Sequence, residues 1–590
     1  MSAALITIAI IVLMFIALVF ELFEPILSFF LAIVLLMVFQ IINIEDAITG
    51  FNNKGVLTIA ALFIIAGTIR KSPVIFHFSN KVLGSNFKGR KTIFKILLPV
   101  TLLSSFVNNT PVVSLYTPIV RDWCKKVKVP SSKILILISY TSIFGGILTL
   151  IGTSTNLVVS GLLEQEGFNP LTMFQLTKVA IFLCIIGYIY ILFTYNKLLP
   201  NNKDSINKVK VNTKDYLVTV VVERNCEIIG KTVEGAGLRS LEGLYLIEIN
   251  RVDKEIAPVD RQEIIRKGDE LVFTGKIETL VQLQAIKGLN FDSSIRFGFE
   301  DLKNKRAEVV EAVISESFPY LHKTIKKSKF RSKYDAAVIA VIRNGERLKG
   351  KLGNVKLKVG DTVLLIAKKG FMERWGDSND FYLINNHNLD SYLPDKKSWI
   401  PLATFLLIII LASFNILSIL ESSLLGLAIL FLTKVIIPRE ALKMISWETL
   451  GVIALSFGLG KAMVNSGAAD LIAKNIIIIA NGCGVYGALL VIYIMTNIFT
   501  ELITNNAAAV LAFPIAVKVS QSLDVSHMPF VVAVAIAASA AFSSPYGYQT
   551  NLMVYGLGGY KFKDFIKFGL PLNILFMIFS IILIPLFFKF

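Results

Sequence analysis

Apolar and polar positions divide the chain into two hydrophobic ends and a polar middle. The apolar runs are about 20 residues long, which is enough for a helix to cross the ~30 Å hydrocarbon core of a bilayer. From about Asn201 to Lys397 the pattern changes to short alternating segments with turn signals, which predict an α+β insertion. Candidate spans lie near residues 3–20, 25–43, 55–69, 134–162, 172–196, 398–413, 416–435, 447–465, 529–556 and 566–588.

Charged loops predict the orientation of the first half. Basic loops favour the cytoplasmic side of a membrane, and two of them, 70–95 and 121–133, flank segment 96–120. That segment is therefore predicted to enter and leave from the cytoplasm as a re-entrant hairpin. The next two spans return the chain to the cytoplasm, where the insertion 201–397 is expected.

The second half is predicted to repeat this arrangement in the opposite orientation. Its basic loops 434–443 and 559–567 are expected on the cytoplasmic side, so segment 484–517 re-enters from outside. Each half, 1–200 and 398–590, then has five spans and one hairpin. An odd number of spans inverts the second copy.

Two pairs of motifs support the duplication. LIGTSTNLVVSGLL at 150–163 resembles SPYGYQTNLMVYGL at 544–557, and each follows a pair of adjacent asparagines. The second Asn of the pair precedes the Asn of the later motif by 47 residues in the first half (109 to 156) and by 45 in the second (506 to 551). Motifs that recur in the same order at nearly the same spacing indicate an inverted repeat.

Composition and charge narrow the class of protein. The chain is 54% apolar and has 42 Phe and a net charge of +18, with a mean hydropathy of +0.66, which is typical of a polytopic membrane protein. The positive charge lies in loops and in the insertion and is not interleaved with aromatic residues, so nucleic acid is not expected as a partner. The first apolar run lacks a basic n-region and a cleavage site and is expected to be retained as a span.

No catalytic or metal-binding pattern is visible in the sequence. The four cysteines have no CxxC spacing and the four histidines have no metal-ligand spacing. Neither a P-loop nor an arrangement of nucleophile, base and acid is present. We therefore expect neither an enzyme nor a resident cofactor or metal.

The paired asparagines Asn108-Asn109 and Asn505-Asn506 are expected at the tips of the two hairpins. A buried amide is unfavourable unless it has partners. The carbonyl oxygen of Asn can bind a hard cation, its NH2 group can donate to an oxyanion, and a helix N-terminus after each tip also favours an anion. The tips therefore predict ion binding, although the same residues can also cap or join packed helices.

The motifs GTSTN (152–156) and PYGYQTN (545–551) interrupt apolar runs in the way an unwound helix does. Their oxygen atoms suit a hard cation, and we expect them to complete cation sites with the tip asparagines. The candidate cation ligands are Asn109, Gly152, Thr153, Ser154, Asn156, Asn506, Ser544, Thr550 and Asn551.

Five segments together resemble one transporter family. NNTPVV, TLIGTSTNLVVSG, TNNAAA, SPYGYQTNLMVYG and GGYKFKDFIKFGLPL are similar to the divalent anion/sodium symporter family of the ion transporter superfamily, and within it to the sulfate-permease-like branch with inserted TrkA-C domains. The resemblance covers nearly the whole chain. It implies a homodimer in the cell inner (plasma) membrane, with scaffold and transport domains that work by an elevator motion and hold the substrate between two tips.

In that family each tip carries Ser-Asn-Thr, whose Asn helps to bind sodium and substrate. Residues Asn108, Asn109 and Thr110 match the first tip, and Asn505, Asn506 and Ala507 match the second. The resemblance thus implies that these six residues bind substrate. The missing hydroxyl at Ala507 favours a smaller oxyanion, which puts sulfate ahead of a dicarboxylate.

Two ionisable residues lie at membrane depth. Glu501, just before the second tip, and Lys461 in GLGKAMVNSG are expected to face a cavity or a partner, because charges are unfavourable in lipid. They are candidates for gating or coupling, and the alternative is a structural charge pair or a lysine that extends to the interface.

The insertion contains its own repeat of strand, Gly-Asp turn and strand. The pattern resembles TrkA C-terminal (RCK-C) domains, one near 212–287 and one near 306–376, within domains 201–305 and 306–397. No GxGxxG follows a strand, so the nucleotide-binding RCK-N half is not expected. Such domains serve dimerisation or bind a small ligand such as a cyclic dinucleotide.

The sequence thus favours a sodium-coupled secondary importer of a divalent oxyanion, with sulfate first. The alternatives are a dicarboxylate symporter of the same fold, a proton antiporter or arsenite-type permease, and a gated channel or potassium-uptake subunit. A channel is disfavoured because no TVGYG-like filter occurs. The sequence does not separate sodium from proton as the coupling ion.

Overall fold

The computed structural model describes residues 2–72, 87–202, 218–275, 283–291, 307–383 and 396–590, with gaps of one to three residues inside these ranges. The chain divides into two units. The first comprises 1–200, 387–555 and 560–590, and the second comprises 201–386 and 556–559. Most of the basic loop 70–95 and the predicted domain boundary at 305–306 lie outside the described residues.

The first half of the first unit is built from apolar helices, because a segment in hydrocarbon must pair its backbone groups internally. The predicted span 134–162 is two helices, and the backbone leaves the helical conformation between Gly146 and Ser154. The helices are α1 (Ala3–Val19), α2 (Pro25–Val38), α3 (Ile44–Ile48), α4 (Lys54–Lys71), α5 (Arg90–Ser104), α6 (Asn109–Lys126), α7 (Leu135–Gly146), α8 (Ser154–Gln165) and α9 (Thr177–Leu198).

The second unit contains two antiparallel sheets with the same strand order. Strands β1 (Val218–Val222), β2 (Leu244–Arg251), β3 (Lys254–Ile256), β4 (Glu270–Gly275) and β5 (Leu289–Phe291) are arranged β3-β2-β4-β1-β5. Strands β6 (Ala307–Ile314), β7 (Ala336–Arg343), β8 (Glu346–Arg347), β9 (Thr362–Lys368) and β10 (Phe381–Leu383) are arranged β8-β7-β9-β6-β10, accompanied by helices α10 (Phe330–Tyr334) and α11 (Phe371–Trp375).

One ion pair between an arginine and a buried aspartate recurs in both sheets. Arg251 donates to the carboxylate of Asp269 at 2.8 and 3.1 Å, and Arg343 donates to Asp361 at 2.7 and 2.8 Å, 92 residues further along the chain (343 minus 251). The aspartates follow Gly268 and Gly360, whose φ angles of 83° and 80° favour glycine. The Arg and Gly-Asp spacing seen in the sequence therefore builds the same turn twice, and the assignment to the TrkA-C type stays a prediction.

The second half of the first unit again consists of apolar helices. The predicted span 529–556 is also two helices, with non-helical backbone from 540 to 548. The helices are α12 (Ile400–Ser413), α13 (Ile419–Leu432), α14 (Pro438–Met444), α15 (Trp447–Asn465), α16 (Ala468–Ile479), α17 (Gly484–Leu502), α18 (Asn505–Ser522), α19 (Met528–Ser539), α20 (Gln549–Leu557) and α21 (Phe562–Phe587).

Five helical stretches in the described ranges are long and apolar enough to cross a bilayer: Ile44–Ile69, Thr177–Leu198, Trp447–Asn465, Gly484–Leu502 and Phe562–Phe587. The other apolar helices are shorter or interrupted. The chain is thus a helical polytopic membrane protein. The re-entry of 96–120 and 484–517 from opposite sides stays a prediction. These two segments correspond to the helix pairs α5–α6 and α17–α18, which extend beyond the predicted bounds.

Candidate functional site

Each predicted hairpin tip is the start of a helix. Helix α6 begins at Asn109 after the cap residue Asn108, and α18 begins at Asn505 after the cap residue Thr504. The first amides of a helix have no partner within it and carry positive partial charge. Both tips therefore offer groups that attract an anion, as the sequence predicts.

The contacts of the two tips define how they correspond. The hydroxyl of Ser104 donates to Oδ1 of Asn109 over 2.7 Å, and the hydroxyl of Thr500 lies 3.2 Å from Oδ1 of Asn505. Both pairs are five residues apart, and both asparagines are the first residue of their helix. Asn109 therefore corresponds to Asn505 and not, as the motif spacing indicates, to Asn506.

This shift by one residue corrects the composition of the second tip. Its three residues are Thr504, Asn505 and Asn506, and they match Asn108, Asn109 and Thr110. Ala507 lies one position further into α18 and is fully buried. The argument from a missing hydroxyl at Ala507 therefore does not apply, because the structure places Thr504 and Asn506 at the positions that flank the central asparagine.

The two interrupted helices are braced in the same way. The Nδ2 group of Asn156 donates to the carbonyls of Gly146 and Thr149, ten and seven residues earlier. Asn551 donates to Ala541 and Ser544, also ten and seven residues earlier. These asparagines hold the non-helical backbone in place, because they satisfy carbonyls that a continuous helix would pair. Oδ1 of Asn156 is buried and makes no hydrogen bond.

Glycine is required at the first interruption. A Cβ atom on Gly152 would lie 2.6 Å from the carbonyl oxygen of Gly146 and 2.9 Å from that of Ser105. Thr153 caps α8, and the hydroxyl of Thr149 also donates to the Ser105 carbonyl. Gly152 is one of the candidate cation ligands, and its role in the structure is to allow the backbone segments to pack closely.

Polar contacts join each tip to the interrupted helix of the other half. The hydroxyl of Thr110 donates to Oε1 of Gln549 over 2.9 Å. In mirrored fashion, the hydroxyls of Ser154 and Thr155 lie 3.1 and 3.3 Å from Oδ1 of Asn506. Gln549 and Ser154 are the first residues of α20 and α8, so the contact recurs between equivalent positions. The structure thus brings the predicted tips and the predicted unwound motifs into one site.

Behind this layer, Ser139 of α7 connects the two halves. Its hydroxyl lies 2.8 Å from the hydroxyl of Thr550 and 2.7 Å from Oδ1 of Asn551. Oδ1 of Asn551 is therefore already engaged by the hydroxyl of Ser139 within the protein. The hydroxyl of Ser544 accepts from the amide of Tyr546. These contacts make Thr550, Asn551 and Ser544 supports of the second interruption.

Sequence reasoning missed the residue at the centre of the site. Tyr548 is 7% exposed, and its hydroxyl accepts from Nδ2 of Asn109 at 2.5 Å and lies 3.2 Å from the hydroxyl of Thr153. The side chain of Asn505 also lies near this hydroxyl. Tyr548 lies within the PYGYQTN motif. It lies two residues before Thr550, which matches Thr155 of the first half, and this position is the sequence signal that could have identified it.

A pocket opens beside the first tip. Asn108 and Ser154 line it together with apolar residues of α4 and α12, which include Phe63 and Phe405. No charged side chain lines the pocket in the part of the chain that the structure describes. The polar side chains that line it belong to the tip and to the start of α8.

The two ionisable candidates lie in different surroundings. One carboxylate oxygen of Glu501 accepts from the amide of Ser543 and from Nδ2 of Asn573, each at 2.8 Å, and its other oxygen is buried without a hydrogen bond. Lys461 forms an ion pair with Glu166 at 3.4 Å, and both side chains are about one-third exposed or less. An ion pair of this kind contributes little. The geometry therefore favours a structural role for Lys461. Glu501, in contrast, lies next to the second tip.

Comparisons with known proteins show the family of the chain. The chain matches the family described as citrate transporter over residues 15–535. A Chlamydomonas reinhardtii protein whose name describes a sulfur deprivation response regulator is 34% identical over 95% of this chain and 97% of its own length. An uncharacterized transporter of Synechocystis sp. is 31% identical, over 92% and 90%. Sodium/sulfate cotransporter 1 of Chlamydomonas reinhardtii is 24% identical, over 91% and 84%.

Two of these relatives are named as transporters and one as a sulfur deprivation response regulator, and none of the three is named as an enzyme. The matches extend over nearly the whole chain, so they include both membrane halves and the insertion between them. The resemblance that the motifs indicated is thereby confirmed at the level of the family. The chain belongs to the citrate transporter family of the ion transporter superfamily, a family of membrane transporters.

Proposed function

We propose that the protein is a secondary active transporter that imports sulfate together with sodium. One observation carries the proposal: two matched sets of a hydroxyl, an asparagine and a helix N-terminus meet at one place through reciprocal contacts. Helix N-termini favour a divalent anion, and the oxygen-rich interruptions beside them suit a hard cation. The names of related sodium/sulfate cotransporters support this pair of ions.

The two cation positions are proposed beside the two interruptions. The first uses Oδ1 of Asn109 and the buried, unpaired Oδ1 of Asn156, with carbonyls of the segment 147–153. The second uses Oδ1 of Asn505 with carbonyls of the segment 540–548. Oδ1 of Asn109 now accepts from the hydroxyl of Ser104, which can rotate away when a cation arrives.

The anion is proposed to lie against the two tips. Amides of α6 and α18, together with Thr110, Thr504 and Asn506, supply donors that a small tetrahedral oxyanion can use. The apolar lining of the adjoining pocket offers no charged partner for additional carboxylates in the described residues. This favours sulfate over a tricarboxylate.

A dicarboxylate or citrate is the second candidate substrate. The family is described as citrate transporter, and the tips by themselves can also bind one carboxylate group. Competition decides between the candidates, because only the true substrate class inhibits uptake at low concentration.

Glu501 is proposed to aid cation coupling. Its partly buried carboxylate lies one residue after Thr500, which contacts Asn505, and it forms no ion pair among the described residues. A buried charge without a counter-ion is unfavourable. A bound cation at the second position would compensate it, so Glu501 and the cation stabilise one another.

The second unit is proposed to be a cytoplasmic regulatory or dimerisation module of two TrkA-C domains. The repeated sheets with the Arg and Gly-Asp pair support two copies of one domain type. We further propose a homodimer in the plasma membrane that works by an elevator motion. Calorimetric titration of the full-length protein with cyclic dinucleotides tests ligand binding, and the absence of heat at saturating concentration would remove that ligand.

Uptake of labelled sulfate into proteoliposomes tests the function. We expect accumulation when a sodium gradient is imposed, and little uptake when potassium replaces sodium. Succinate and citrate at equal concentration serve as competitors, and a proton gradient without sodium serves as the control for the coupling ion. Uptake of a dicarboxylate without uptake of sulfate would overturn the proposal and leave the architecture of the site intact.

A further inference from the structure

Tyr548 breaks the symmetry of the site. It directly precedes α20, as Thr153 directly precedes α8, so the two residues occupy equivalent positions in the two halves. Their hydroxyls are 3.2 Å apart. A short threonine side chain is thus matched by a long phenol, and only the phenol reaches from the second half to Asn109 of the first tip.

The hydrogen bonds around Tyr548 fix the direction of its proton. Oδ1 of Asn109 accepts from Ser104, so the amide must direct its NH2 group to the phenol oxygen. The phenol oxygen is therefore an acceptor from Asn109. Its own single proton remains available for Thr153 or for another acceptor. An oxyanion that enters between the tips presents such an acceptor, whereas a cation does not.

The same ring also limits space. The hydroxyl of Tyr548 contacts Asn109 of the first tip, and the side chain of Asn505 of the second tip lies nearby, so the end of the ring lies close to both tips. Its 7% exposure means that the surrounding chain encloses it. A substrate held by both tips must share this space with a phenol, and a carbon chain needs more of it than a single tetrahedral group does.

We propose that Tyr548 is the residue that sets substrate size, and that it admits a small tetrahedral oxyanion while it excludes longer dicarboxylates. The inference rests on the proposed function and deepens it. The ring supplies the size limit, and the hydroxyl donates one hydrogen bond to the anion. The two properties are separable by substitution.

Tyr548→Phe keeps the ring and removes the hydroxyl, whereas Tyr548→Thr keeps a hydroxyl, copies Thr153 and removes the ring. We expect Tyr548→Phe to raise the KM for sulfate about tenfold, the loss of one hydrogen bond to a charged group, with a smaller change in kcat. We expect Tyr548→Thr to admit succinate as a competitor and a substrate. Tyr486→Phe is the matched control, because Tyr486 is 55% exposed and lies near the start of α17, outside both interruptions.

Thermal unfolding of the purified full-length protein with sulfate, malonate, succinate and citrate separates this inference from the proposed function. If wild-type protein fails to take up sulfate, the proposed function fails, and the size limit is still read from which anion raises the unfolding temperature most. A shift towards longer anions in Tyr548→Thr supports the inference. Identical anion profiles in wild type and Tyr548→Thr overturn it. An unchanged KM for sulfate in Tyr548→Phe would show that the Tyr548 hydroxyl does not donate to the anion. This result can be obtained even if Tyr548→Thr does not fold.

Discussion

At the scale of the residue, neighbouring asparagines have different environments. Asn109 and Asn505 each lie beside a hydroxyl five residues earlier, while Asn506 contacts Ser154 and Thr155 of the other half. In the proposed site the central asparagines therefore bind the cation. Asn506, like Thr110, lies at the proposed boundary with the anion.

This division predicts different effects of alanine at the second tip. Asn505→Ala should raise the sodium concentration for half-maximal uptake about tenfold or more, because one cation ligand is lost, and Asn109→Ala should do the same at the first tip. Asn506→Ala should mainly raise the KM for sulfate. Sodium and sulfate titrations of uptake measure both effects.

Asn475→Ala provides the control for the asparagine series, because Asn475 is exposed on α16 and bonds only within its own helix in the contacts described. It should transport like wild type. If Asn505→Ala retained normal sodium dependence, the correspondence between Asn109 and Asn505 would have no functional meaning.

Glu501 gives a second prediction at this scale. Glu501→Gln keeps the shape and an acceptor for Ser543 and Asn573 but removes the charge. A carboxylate roughly 7 Å from a cation contributes about 2 kcal/mol at an effective dielectric constant of about 20. We therefore expect the half-saturating sodium concentration to rise about thirtyfold, which uptake at graded sodium concentrations measures.

Glu45→Gln is the matched control for Glu501, since Glu45 is an exposed residue in the first turn of α3. It should leave sodium dependence unchanged. A normal sodium titration in Glu501→Gln would mean that Glu501 has only a structural role, through its contacts with Ser543 and Asn573.

At the scale of the element, interrupted helices carry the site. The non-helical segments before α8 and α20 free carbonyls, and asparagines at the same offsets satisfy some of them. The first interruption also depends on close backbone packing. Gly152 allows that packing, because any side chain there would collide with the Gly146 carbonyl.

Gly152→Ala should therefore disturb the first interruption. The collision at 2.6 Å involves backbone on both sides and cannot be relieved by a rotamer change. We expect destabilisation by about 1–3 kcal/mol and loss of sodium-driven uptake. A lower unfolding temperature of the purified protein and an uptake assay measure the two effects.

Gly460→Ala is the comparison for this variant. A Cβ atom at Gly460, within α15, meets only the Val510 side chain at 3.8 Å. It should be neutral or slightly stabilising, because alanine favours a helix over glycine. Equal behaviour of the two variants would show that the interruption tolerates a side chain.

At the scale of the whole molecule, the chain combines a helical membrane unit with an insertion of two matched sheets. The position of the insertion between the halves allows it to form without interrupting either membrane half. We predict that the detergent-solubilised protein is a dimer with twice the mass of the chain, measured by light scattering corrected for detergent. A strictly monomeric protein that transports sulfate at the normal rate would contradict the dimer.

The sequence by itself determined the helical membrane class, the polar insertion and the recurrence of the motifs, because apolar length and local spacing are properties of consecutive residues. The tertiary structure alone decided that Asn109 matches Asn505 and that Tyr548 and Gln549 reach the opposite tip. In a pair of adjacent asparagines a shift by one residue leaves the motif unchanged, so the spacing could not detect it. Contacts such as Thr110 to Gln549 join residues 439 positions apart, and they depend on how two complete halves pack.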